Sequence, residues 1–248
     1  MQKDFTGRVA LVTGAFRGFG FATAQRLAAR GASVAVNVRD PERAEATARL
    51  LGHHGFAVPG DLGNADDLNT IVTRTLDRFG RLDILVNNAA VALSTRFEKI
   101  TEEEWRRTFE INVTAVFLLI RAAVPAMREQ KYGRIVNLSS TAGKTVSTLG
   151  GAHYTASKAA LLGLTRAAAK ELGPYGITVN AICPGLFDTE LTRENATPEQ
   201  LEAIAKTFPI RRLGDAVEVA DLICFLASEA AGYITGASLD INGGDLML

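Results

Sequence analysis

Two cysteines in 248 residues, Cys183 and Cys224, are too few for a disulfide framework, and neither stands in a zinc spacing. Both read as small buried apolar residues. Histidine is almost as scarce. His53, His54 and His153 make no ligand pattern, so no metal is expected. An excess of one charge is missing as well: Lys+Arg and Asp+Glu number 27 each. That balance removes the electrostatic reason to expect nucleic acid or an anionic membrane as partner. No uninterrupted apolar run approaches the ~20 residues that cross a bilayer, and residues 1–5 lack the apolar core of a signal peptide. A soluble, cytoplasmic protein is expected. Repeats, low-complexity tracts and Pro/Gly-rich linkers are also lacking, so residues 1–248 read as one domain.

What is present is apolar and periodic. Hydrophobic residues are 47% and charged residues 22%, enough for a sizeable core. Strand-like runs at 8–12, 33–38, 56–59, 83–86, 133–138, 177–182 and 238–241 alternate with helical patterns. One helix is opened by a capping box at Thr101 and Glu104 and runs to about Glu129. Continuous apolar strands separated by helices predict an α/β fold, a Rossmann-type doubly wound sheet of seven mainly parallel strands with helices on both faces. Residues 186–213 carry no strand signal and are the candidate substrate lid.

Chemistry clusters at the carboxyl ends of the predicted strands, the edge where such sheets bind ligands. After the first strand, Gly14, Gly18 and Gly20 permit a tight turn and a close backbone approach to a pyrophosphate at a helix N-terminus. Phe19 lies within the same turn. Arg17 in this turn and Arg39 after the second strand suit a 2′-phosphate, which favours NADP(H). NAD(H) is the alternative, with Asp40 as the ribose ligand and Arg39 simply solvated. Asp61 and Leu62 follow the third strand, where Asp61 either accepts from an adenine amino group or caps a helix. Asn88 and Ala89 follow the fourth, small enough for a flat ring to pass. Tyr154 and Lys158 stand four residues apart, on one face of a helix. An ammonium beside a phenol lowers its pKa, which fits the phenol for proton transfer to a carbonyl oxygen.

These motifs together, with Asn112, Ser140 and Pro184-Gly185, resemble the short-chain dehydrogenase/reductase family of the plain single-domain kind, over essentially the whole chain. The resemblance is to members such as 3-oxoacyl carrier-protein reductases. It implies an NADP-dependent oxidoreductase interconverting a ketone and a secondary alcohol. Ser140, Tyr154 and Lys158 would be the catalytic triad, and the Asn112 amide would hold a water in a proton relay. Pro184, Gly185 and Thr189 would clasp the nicotinamide, with a helix cap as the other reading of Thr189. Two departures are visible: Phe19 replaces a smaller aliphatic residue, and Ala90 replaces a glycine. His153 and Phe187 are candidate substrate contacts, within a mainly apolar set that includes Val91, Leu93, Ala142, Thr148, Leu186, Leu191 and Phe208. Arg128, Lys131 and Arg134 are candidates for docking an acidic carrier. A homotetramer is expected from the resemblance. The rivals are an NAD-dependent polyol or sugar-acid dehydrogenase and a non-catalytic dinucleotide-binding protein.

Overall fold

Alternate residues of the first strand serve opposite faces of the sheet: Ala10 and Val12 join one apolar cluster, Val9 and Leu11 the other. A strand buried on both faces must read as an unbroken apolar run, and it does. A computed structural model describes residues 4–248, apart from the side chains of Leu191 and Asn195. Met1, Gln2 and Lys3, and the pocket expectation for Leu191, lie outside the described residues.

The chain opens β1 (Val9–Thr13), α1 (Gly18–Ala29), β2 (Ser33–Asn37), α2 (Pro41–Leu50), β3 (Gly55–Ala57), α3 (Ala65–Phe79) and β4 (Ile84–Asn87). It continues α4 (Glu102–Phe109), α5 (Ala115–Gln130), β5 (Gly133–Leu138), α6 (Ala152–Leu172) and β6 (Ile177–Pro184). Last come β7 (Phe187–Asp188), α7 (Glu190–Asn195), α8 (Pro198–Ala205), β8 (Gly214–Asp215), α9 (Ala216–Ala227) and β9 (Ser238–Ile241). Seven strands form one parallel sheet in the order β3-β2-β1-β4-β5-β6-β9. The order reverses between β1 and β4, which opens a crevice at their carboxyl ends. Helices α1, α2 and α9 cover one face, and α3, α5 and α6 the other.

Three departures from the sequence expectation matter for the site. The segment 186–213 is not strandless: Phe187–Asp188 pairs in parallel with Gly214–Asp215 as a small second ribbon. The expected single helix from Thr101 is interrupted by a π-turn at Glu110–Thr114 between α4 and α5, and Asn112 sits in that turn. Arg134 is buried, stacked on Tyr132 and paired with Glu229, so it belongs to no surface docking patch. The capping box is as expected, with Thr101 accepting from the Glu104 amide and the Glu104 carboxylate accepting from the Thr101 amide.

The continuous stretch Glu102–Gln130 is long and apolar enough by composition to cross a bilayer. Its apolar residues Ile111, Val116, Leu119, Ile120 and Met127 are buried in the cluster beneath the sheet, so in this fold it is a core helix.

Candidate active site

The glycine turn between β1 and α1 is built so that side chains cannot enter it. Gly14 and Gly18 have φ of +63° and +53°, a region that disfavours any side chain. Gly20 is constrained by proximity instead: a Cβ there would lie 2.4 Å from the Gly14 carbonyl oxygen and 2.5 Å from Asn88 Nδ2. The result is exposed backbone at the start of a helix, the geometry that receives a phosphate. A dinucleotide therefore fits the residues present.

Asn88 has a different task from the expected ring contact. Its side-chain amide donates to the carbonyl oxygens of Thr13 (2.9 Å) and Gly14 (3.2 Å). Thr13 Oγ1 in return accepts from the amides of Asn88 (3.0 Å) and Ala89 (3.1 Å). Asn88 thus ties the glycine turn to the end of β4, and Ala89 and Ala90 leave a small surface there. Asp61 is not the cap of α3, a place taken by Asn64. Its carboxylate accepts from Gly63 N (2.8 Å) and Arg107 (3.2 Å). The Gly63 bond, then Arg107 and Arg39, hold its pKa below the usual value against the opposing effect of burial. Leu62 is buried in the core, so its side chain offers nothing to a ligand. Asp40 is committed as the cap of α2, accepting from Arg43 N at 2.9 Å, whereas Arg39 is exposed. Sequence reasoning missed Arg43, which lies with Arg17 beside the exposed Phe16 ring, 5.5 and 5.2 Å from its centroid.

Across the crevice, α6 presents Tyr154 and Lys158 one turn apart. Lys158 Nζ lies over the Tyr154 ring, 5.6 Å from its centroid, and donates to the Leu138 carbonyl oxygen at 2.6 Å. Ser140 caps the short turn Thr141–Gly143, accepting from Ala142 N at 3.1 Å, and lines the same cavity as Tyr154. The neighbouring Ser139 is buried and donates to the Lys158 carbonyl oxygen at 2.9 Å. Gly143 lets these pieces close up, because a Cβ there would lie 2.8 Å from both Ser139 Oγ and the Lys158 carbonyl oxygen.

The electrostatics correct one expectation. Burial pushes the Tyr154 phenol above its ordinary value, and the opposing influence is the Ser140 hydroxyl, not the ammonium. Burial acts on Lys158 more visibly, bringing its pKa down to about 8. The reason is placement: the ammonium hydrogen-bonds Leu138 rather than the phenol oxygen, and both charged forms are poorly solvated.

Asn112 is also more occupied than expected. Its amide nitrogen donates to the Val91 carbonyl oxygen (2.9 Å) and Ser157 Oγ (3.0 Å), and its oxygen accepts from Val91 N (2.9 Å). Both amide hydrogens are taken, so the side chain anchors the loop after β4 to α6. His153 is another correction. It is fully buried with neither ring nitrogen paired and does not face the cleft. The alternation of a helix turns residue 153 inward when 154 faces the crevice.

Beside Ser140 and Tyr154 lies a cavity of about 330 Å³, bounded also by Phe19, Thr148, Pro184, Gly185, Leu186, Phe187, Thr189 and Phe208. Phe19 meets Phe187 edge-on at 5.2 Å, so the departure from a smaller residue helps close one wall. Thr189 borders the cavity and also caps α7, so the cap reading is observed. Val91, Leu93 and Ala142 are not in the wall. Thr192, Ile204, Thr207 and Asp245 are in it and had no distinguishing sequence signal.

Glycine turn, switch-point crevice and buried hydroxyl–lysine cluster together define a dinucleotide-dependent oxidoreductase of the α/β class. A family model described as "Enoyl-(Acyl carrier protein) reductase" matches residues 14–245. The chain is 42% identical over 248 residues to a 3-oxoacyl-[acyl-carrier-protein] reductase of Synechocystis, covering 98% of each. It is 38% identical over 245 residues to the Escherichia coli reductase of that name, covering 99% of this chain and all of that one. The crystal structure of a 3-oxoacyl-[acyl-carrier protein] reductase from Brucella melitensis superposes with a TM-score of 0.92 at 35% identity, covering 100% and 94% of the two chains. The chain belongs to the short-chain dehydrogenase/reductase family.

Proposed function

We propose that this enzyme interconverts a ketone and a secondary alcohol with NADP(H), and that its ketone is a 3-oxoacyl thioester on a carrier. The observation that carries this is the Ser140–Tyr154 hydroxyl pair on a cavity of mixed polarity that Phe19 of the glycine turn also borders. Two hydroxyls converging on one oxygen suit a carbonyl better than a carbon–carbon double bond. The names printed for the relatives support the thioester, and the apolar wall of Leu186, Phe187 and Phe208 suits an acyl chain.

Gly14, Gly18, Gly20, Pro184 and Gly185 would hold the dinucleotide, with Arg17 and Arg39 on a 2′-phosphate. When bound, the cofactor supplies the hydride. Tyr154, kept protonated at neutral pH by its burial, donates its proton to the substrate oxygen and takes it back in the other direction. Ser140 donates to the same oxygen and stabilises charge developing there. Lys158 stands beneath the phenol with its ammonium fixed on Leu138, one helical turn from Tyr154. That Asp40 is already committed as a helix cap supports NADP(H) over NAD(H).

The test is a panel of 3-oxoacyl and 2-enoyl thioesters assayed with NADPH and NADH, and of sugar acids assayed with NADP+ and NAD+, with Tyr154→Phe alongside. Tyr154→Phe should bind NADPH normally and lose turnover on the 3-oxoacyl substrate by about three powers of ten or more. Near-normal turnover would overturn the role of Tyr154, and NAD+-dependent oxidation of a sugar acid as the best reaction would overturn the substrate.

A further inference from the structure

The short helix α7 lies over the glycine turn and brings two carboxylates to it. Glu194 Oε1 is 2.5 Å from Arg17 Nη1, across 177 residues of sequence. A Cβ on Gly18 would lie 3.9 Å from Glu190 Oε2 and 3.9 Å from the Thr189 methyl carbon. Helix α7 is itself fixed at its base: Arg193 donates to both oxygens of Asp188, at 2.7 and 2.8 Å. Asp188 belongs to β7, which is paired to β8. The acidic groups are therefore held in place by a built support.

Arg17 is the guanidinium within the turn that a 2′-phosphate would engage, and a carboxylate already engages it. A guanidinium pairs with either anion by charge-assisted bonds, and a phosphate monoester carries about −1.5 to −2 charge against −1 for glutamate. The phosphate is the stronger partner, but it must first displace the one in place. We propose that Glu194 competes with the cofactor's 2′-phosphate for Arg17, so that α7 is a carboxylate latch on the glycine turn that sets the affinity for NADPH relative to NADH. This rests on the NADP(H) reading given above. Both side chains of the pair are partly solvated, Arg17 at 37% and Glu194 at 54% exposure, so the latch is weak enough to open.

The proposal is tested with ligands that isolate the 2′-phosphate. Dissociation constants of 2′,5′-ADP and 5′-AMP are measured for the wild type, Glu194→Gln, Arg17→Gln and the double variant, and those of NADPH and NADH in parallel. Glu194→Gln is expected to tighten 2′,5′-ADP and NADPH about two- to fivefold while leaving 5′-AMP and NADH unchanged. In the Arg17→Gln background the same change should have no effect. Amide exchange over residues 190–195 should rise when 2′,5′-ADP is added to the wild type, and should already be raised in Glu194→Gln. Equal tightening of both nucleotides would mean a general charge effect, and unchanged or weaker 2′,5′-ADP binding would mean that Glu194 does not compete; either result overturns the latch. If the wild type does not prefer 2′,5′-ADP to 5′-AMP, the NADP(H) reading falls and takes the latch with it, a result distinct from the others.

Discussion

Lys158 titrates near 8 in the folded chain against an ordinary 10.5, so between those values the unfolded chain holds more protons. Below about pH 8 folding carries the full cost of the buried ammonium, and the cost fades as pH rises toward 10.5. The fall from 10.5 to about 8 corresponds to about 3 kcal/mol. Lys158→Met is therefore expected to melt higher than the wild type at pH 7, with the gap narrowing by pH 10. Thermal unfolding of both proteins across that range checks it, and a gap independent of pH would show that the ammonium is not the source. At this scale the sequence marks residue types and spacing well. Tyr154 and Lys158 were legible because four residues is one helical turn. His153 was misread and the bonds of Asn88 and Asn112 were not foreseen, because a sequence does not show which carbonyl takes up an amide or which side of a helix start faces inward.

The glycine turn and the buried ends of the strands have energetics of their own. Adding one methyl at Gly20 drives it to 2.4 Å from the Gly14 carbonyl oxygen. Gly20→Ala should lose most cofactor affinity and about 1–3 kcal/mol of stability, read by nucleotide titration and thermal melting. At the opposite end of the sheet, the fully buried Asp83 carboxylate accepts from Arg8 (3.0 Å), Arg81 (2.6 and 2.8 Å) and Val9 N (2.9 Å). Asp83→Ala leaves the buried Val9 amide without its acceptor, while Arg8 keeps Glu229 and Arg81 keeps solvent. It should destabilise by about 1–3 kcal/mol while leaving the nucleotide affinity of the remaining folded protein intact, as denaturant titration and binding would show. Strand and helix order were readable from apolar periodicity. The β7–β8 ribbon was not, because two residues per strand give no period to detect, and the π-turn was not, because it continues the helical apolar pattern around it.

Large apolar side chains remain exposed on the outside of the molecule: Trp105 at 44%, stacked on Phe109 within α4, and Phe117 at 44% on α5. Tyr233 near the C-terminal segment is fully exposed. Faces of this kind are commonly covered by another copy. A homotetramer is the expected assembly, so light scattering should give a mass about four times 26.5 kDa. Phe117→Glu should shift that mass downward without altering the fold, and a monomeric wild type would refute the assignment. The π-turn at Glu110–Thr114 joins the site to this outer surface, since it holds Asn112 and precedes the helix that carries Phe117. A regular α-helix over the same residues would rotate everything downstream by about 100° relative to α4, because the π-turn takes up one extra residue. The irregular turn thus acts as an angular offset: it lets one rod aim an amide at the loop after β4 and, further along, seat its apolar stripe on the sheet.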